Sequence, residues 1–228
     1  MGSESFNAAC IKPIPSYSKR QGRMTDSQKK RMQQKEDPYR LFFSDKAYDW
    51  SEVFGNNHPV VCDVGFGMGH ALCAQAKAHP ELNFVAIDVY EAGVAAFLIL
   101  CAREGVENIR VHCGDAVPFI QTCCPKKGFM QLQCLFPDPW PKKRHHKRRL
   151  LLQKPFVDAC MASLVSGGIF WIATDWLPYA EDIAPCFSAR SDCILVDRSF
   201  CAQPIKSKYH QRGDRLGHTV THFYYQVA

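Results

Sequence analysis

A single α/β domain, with a mostly parallel sheet covered by helices on both faces, is the fold class this sequence predicts on three observations. Short apolar runs alternate with stretches of helical spacing, and several of these runs end on glycine or an acid. The 228 residues, 46% of them hydrophobic, are enough to bury one full core. Continuously apolar runs belong to strands buried on both sides, as in parallel sheets. A disordered or fibrous chain would be poorer in apolar residues or would show a compositional repeat, and none is visible.

Residues 1–36 are polar, basic and aperiodic, and read as an N-terminal arm that is mobile without a ligand; residues 37–228 form the domain. Val60 to Val64 is the first strand, ending in glycines, and His70 to His79 reads as a helix. Phe84 to Asp88 is the second strand, followed by a helix through about Arg103. Ile109 to Cys113 and Met130 to Phe136 are strands three and four, and Leu150 to Leu164 has helical spacing. Gly168 to Ala173 is the fifth strand, with a helix after it. Cys193 to Val196 and Thr219 to Val227 complete a sheet of seven, the last pair being suited to antiparallel pairing.

The net charge of +6 is concentrated in two tracts. Residues 19–36 hold seven basic residues against Asp26 and Glu36, and residues 142–149 hold six with no acid. Without them, 15 basic residues face 20 acidic ones, so the body is negative. Clustered cations of this kind suit a polyanion, because each phosphate they neutralise releases counterions.

Twelve cysteines without a Cys-x-x-Cys pair, several inside apolar runs, read as reduced core thiols and not as a metal site. The first 25 residues lack an apolar signal core, and the longest apolar stretch, Gly93 to Ala102, is too short to span a bilayer. A soluble, cytoplasmic protein without membrane attachment is therefore expected.

In a sheet of this type the ligand lies beyond the carboxyl ends of the strands. Asp63-Val64-Gly65-Phe66-Gly67-Met68-Gly69 leaves the first strand with its third glycine one place too early for a dinucleotide fingerprint. A carboxylate before the turn repels pyrophosphate, but suits the ammonium and sulfonium of S-adenosylmethionine, which the bare backbone of Gly65 and Gly67 lets approach. Asp88, at the end of strand two, is placed to accept ribose hydroxyls, and Asp115, after strand three, to take an adenine amino group.

Phe136-Pro137-Asp138-Pro139-Trp140-Pro141 follows strand four, and its prolines restrict the directions of Asp138 and Trp140. The cationic run Lys142 to Arg149 comes next. With Gly114-Asp115-Ala116, Ala173-Thr174-Asp175-Trp176, Pro178-Tyr179-Ala180, Gln211 to His218 and the arm residues Arg20 to Arg23, these motifs resemble the tRNA (guanine-N7)-methyltransferase family in its bacterial single-chain form. The resemblance covers nearly the whole chain from about residue 19.

That resemblance implies a Rossmann-like class I S-adenosylmethionine-dependent methyltransferase acting on guanosine 46 of the tRNA variable loop, without metal and without an obligatory protein partner. It implies that Asp63, Asp88 and Asp115 contact the cofactor, beside Gly65 and Gly67 of the turn, and that Asp138 is the central active-site acid, the candidate catalytic residue. Lys142, Asp175, Ser207, Lys208, Tyr209 and His210 would contact the substrate, and Arg144, His145, His146, Lys147, Arg148 and Arg149 the RNA. Two departures stand out. The family often has Glu where Asp63 and Asp88 stand, and its Thr-Lys-Phe/Tyr-Glu pattern is Ser207-Lys208-Tyr209-His210 here. The second replaces an anionic acceptor by an imidazole, which still accepts one hydrogen bond when neutral.

Overall fold

The computed structural model describes residues 15–17, 22–197 and 219–228. Its strands are β1 (Arg40–Leu41), β2 (Val60–Val64), β3 (Asn83–Asp88), β4 (Ile109–Cys113), β5 (Phe129–Leu135), β6 (Leu164–Thr174), β7 (Cys193–Val196) and β8 (Thr221–Val227). They form one sheet in the order β1-β4-β3-β2-β5-β6-β8-β7, parallel except where β8 runs against β6 and β7. The seven expected strands are all present. The eighth, β1, is a two-residue parallel addition to the edge beside β4, too short to leave an apolar run in the sequence.

The helices are α1 (Asp26–Gln33), α2 (Trp50–Phe54), α3 (His70–Ala78), α4 (Glu91–Glu104), α5 (Ala116–Cys123), α6 (Lys154–Ser163) and α7 (Leu177–Ser188). Alternation along the strands divides the core in two. Val61, Phe84, Ala86 and Val111 pack under α3 and α4, while Cys62, Val64, Val85, Leu132, Phe170 and Ile172 pack under α5, α6 and α7. None of the ten described cysteines is in a disulfide, and eight of them are buried. No described helix is long and apolar enough to cross a membrane.

Residues 26–33, which sequence places in the arm, form a helix held by a capping box on Thr25. It lies on α4: Gln28 Nε2 donates to the Ala92 carbonyl at 3.4 Å, and Met32 packs on the α3/α4 core. Arg31 pairs at 2.7 Å with the buried carboxylate of Asp37, and Arg40 caps the Met32 carbonyl at 2.7 Å. Polar composition concealed this helix, because it buries only a narrow stripe and contributes no fully buried residue.

Candidate active site

The parallel strands β2, β3, β4, β5 and β6 present their carboxyl ends along one edge, and the acids singled out above emerge there. The turn after β2 has all three glycines in the left-handed region, at φ of 86°, 61° and 70° for Gly65, Gly67 and Gly69. A Cβ on Gly65 or Gly67 would meet nothing within 4 Å, so the backbone borders open space; at Gly69 it would lie 2.1 Å from the Phe97 ring. Two of these glycines keep a cradle open, and the third lets the turn close on α4.

Asp88 shapes that cradle. Its Oδ2 accepts the Gly67 N–H at 2.9 Å and its Oδ1 the Tyr90 N–H at 2.8 Å. Burial raises its carboxyl above the usual range, partly offset by these bonds, and the charge of Asp138 raises it further. Each oxygen retains a second acceptor site. Asp115 caps α5 by accepting the Val117 N–H at 3.0 Å.

Asp63 is buried on β2 and its carboxyl is pushed up to about 7, first by burial and then by the charge of Asp88, against a lowering hydrogen bond from Gln133. Gln133 Nε2 donates to Asp63 Oδ2 at 2.6 Å, Gln131 Nε2 donates to Gln133 Oε1 at 3.2 Å, and Gln75 Oε1 lies 3.5 Å from Gln133 Nε2. Three fully buried amides thus support one acid under the glycine turn. Sequence reasoning missed them; the signal was two polar residues, Gln131 and Gln133, alternating inside an otherwise apolar strand. A desolvated carboxylate bordered by bare backbone fits a cationic ligand, whose charge favours the ionised acid.

The proline loop after β5 is held at both sides. The Phe136 N–H donates to the Ala173 carbonyl at 2.8 Å, tying the exit of β5 to that of β6, from which Asp175 emerges. Phe136 and Trp140 both have positive φ, 56° and 45°, and they bracket the exposed Asp138. Such conformations cost about 1–3 kcal/mol each and gather at functional sites.

Lys143–Arg148 is a six-residue 3-10 helix, so side chains three apart align. His145 and Arg148 form one row, on Trp140: the His145 ring stands edge-on at 5.7 Å and the Arg148 guanidinium lies 4.9 Å from the indole centre. Trp140 Nε1 also donates to the Ser16 carbonyl at 3.0 Å. The indole therefore packs the loop. Arg144 and Lys147 form an exposed row, with Lys142 and Lys143 also exposed. Arg149 corrects the expectation that it faces RNA: it is 1% exposed and turned inward, onto the Pro139 carbonyl and Asp182. His145 is held below its ordinary value by partial desolvation and by Arg144, Arg148 and Lys142.

The structure thus brings Asp63, Gly65, Gly67, Asp88, Asp115, Asp138 and Asp175 to one edge, with Lys142 and the cationic turn beside it. Ser207, Lys208, Tyr209 and His210 lie outside the described residues.

Residues 57–223 match the protein family described as "Putative methyltransferase" (Methyltransf_4). The chain is 40% identical over 215 residues to the tRNA (guanine-N(7)-)-methyltransferase of Aliivibrio fischeri (strain MJ11), an alignment covering 92% of this chain and 90% of that protein. With the enzyme of the same name from Vibrio cholerae serotype O1 it shares 39% over 226 residues, covering 95% and 92%. The solved 16S rRNA methyltransferase KamB superposes with a TM-score of 0.58 over 80% of this chain and 95% of that one, at 17% identity, a likeness of fold.

Proposed function

The chain belongs to the tRNA (guanine-N7)-methyltransferase family, and we propose that it methylates N7 of guanosine 46 in the variable loop of tRNA, with S-adenosylmethionine as the methyl donor. The observation that carries this reading is the meeting of an open glycine cradle, a desolvated acid and the Asp138 loop on one sheet edge, beside an exposed cationic row.

Asp63 would hold the ammonium of the cofactor, Asp88 its ribose hydroxyls and Asp115 its adenine amino group, with Gly65 and Gly67 allowing close approach. Bound there, S-adenosylmethionine supplies a methyl group made electrophilic by its sulfonium. Guanine N7 carries its own lone pair, so direct in-line transfer needs no general base. The work left to the protein is to hold N7 in line, and such positioning contributes about 7–11 kcal/mol to lowering a barrier. Asp138 and Asp175 would grip the N–H donors of the base and stabilise the positive charge that develops on its ring. Lys142 and residues 207–210 complete the substrate contacts in this reading. Arg144 and Lys147, the exposed row of the turn, would meet the phosphates of the tRNA, with His145, His146 and Arg148 beside them.

The test is transfer of labelled methyl to two tRNA transcripts, with guanosine or adenosine at position 46, followed by nucleoside analysis. Label is expected as 7-methylguanosine in the first only. Label at another base, or none while the cofactor still binds, would overturn the assignment.

A further inference from the structure

We propose that Arg149 is a positioning residue of the active site and not an RNA contact: it locks the loop carrying Asp138 to the loop carrying Asp175. The proposal rests on the assignment of those two acids to the guanine. Arg149 ends a basic run that composition alone would place wholly in solvent. The three-residue period of the 3-10 turn instead separates its rows, and the row of His146 and Arg149 faces Asp182 on α7.

The contacts of Arg149 converge on the Asp138 loop and on α7, which begins two residues after Asp175. Nε donates to the Pro139 carbonyl at 2.7 Å, one residue from Asp138. Nη1 donates to the Pro178 carbonyl at 3.4 Å, three residues from Asp175, and also to Asp182 Oδ2. The guanidinium plane lies 4.9 Å from the Tyr179 ring centre, and the Tyr179 hydroxyl accepts the Leu151 N–H at 3.0 Å, which fixes that ring in turn. One cation therefore fastens the proline loop after β5 to the first turns of α7, the helix that begins two residues after Asp175.

Phe136 and Trp140 hold positive φ on either side of Asp138, a conformation that persists only where the surroundings over-determine it. The bond to Pro139 falls between them and supplies that constraint. A lysine could not do the same, since its single ammonium lacks the planar fork that reaches two carbonyls and a carboxylate together.

The experiment compares Arg149→Gln, Arg149→Lys, Asp182→Asn and the double variant that joins Arg149→Gln to Asp182→Asn, all in the full chain. It measures kcat, KM for each substrate, cofactor affinity and the dependence of tRNA binding on salt. Both Arg149 variants should lose about tenfold or more in kcat, as misplaced reacting groups do. Cofactor affinity and the log–log salt slope should stay unchanged. Asp182→Asn should lower kcat less, and the double variant should be no worse than Arg149→Gln alone. A slope reduced by about one in Arg149→Gln and restored in Arg149→Lys would make Arg149 a phosphate contact and overturn the proposal. So would unchanged kcat in Arg149→Gln, or additive losses in the double variant. Should Arg149→Gln fail to fold, Asp182→Asn decides alone, because that carboxylate is half exposed and its loss leaves the core intact: unchanged kcat there overturns the proposal. Asp138→Asn run in parallel tests the underlying assignment separately, since wild-type turnover in that variant removes the role of Asp138 itself.

Discussion

Gln133 donates to Asp63 across 2.6 Å from the neighbouring strand, so the acid nearest the glycine turn is oriented by a fully buried amide. Burial raises the Asp63 carboxyl from 3.8 to about 7. A raised folded value means that its contribution to stability is complete below pH 4 and is lost as pH climbs through 7, about 4 kcal/mol in all. A cationic ligand reverses the preference by favouring the ionised form. Cofactor affinity should therefore rise about tenfold per pH unit below 7 and level off above it. Calorimetric titration between pH 5.5 and 7.5 measures this, and a flat profile contradicts it. Gln133→Leu should move the break to higher pH, because the bond that lowers the Asp63 value is gone.

Gly69 and Gly67 share a left-handed backbone but differ in surroundings. Alanine at 69 meets the Phe97 ring and should cost about 2–5 kcal/mol of stability, from backbone strain together with overpacking. Alanine at 67 meets nothing and should cost only about 1–2 kcal/mol, yet it places a methyl where the cofactor would approach. Thermal unfolding and cofactor binding, measured on both variants, should rank them in opposite orders.

The exposed row of Arg144 and Lys147 should carry the phosphate contacts of the turn. Replacing both by alanine is expected to reduce the steepness of log affinity against log salt by roughly two, near 0.9 for each neutralised phosphate. His145→Ala should leave the slope unchanged at pH 7, because its surroundings hold that ring below its ordinary value and so neutral. Filter binding of tRNA across a range of salt concentrations would show whether these residues separate in this way.

Asp138 is exposed and lies between two constrained residues, so replacing it should not unfold the protein. Asp138→Asn is expected to lower kcat by about 10²-fold or more, the scale of losing a preorganised electrostatic contact, with cofactor affinity nearly kept. Single-turnover methyl transfer, with near wild-type rates as the contrary outcome, tests it.

The sequence by itself determined the parallel sheet, the glycine turn and the row of acids at strand ends. These follow from local facts: a run of β-branched and apolar residues has one stable place, buried on both faces, and a connection to the next parallel strand puts every strand's exit on the same edge. It did not disclose helix α1, whose polar residues dock through a few bonds to α4 and Asp37, nor the two-residue β1. The tertiary structure alone decided which polar residues turn inward. Gln131 and Gln133 look like exposed positions of a half-buried strand until α3 covers them with Gln75. Arg148 and Arg149 are identical neighbours in a basic run, yet one lies over Trp140 and the other is buried against Pro139 and Asp182. Composition assigns both a charge, but only the three-residue turn, set against α7 and the proline loop, assigns each a direction.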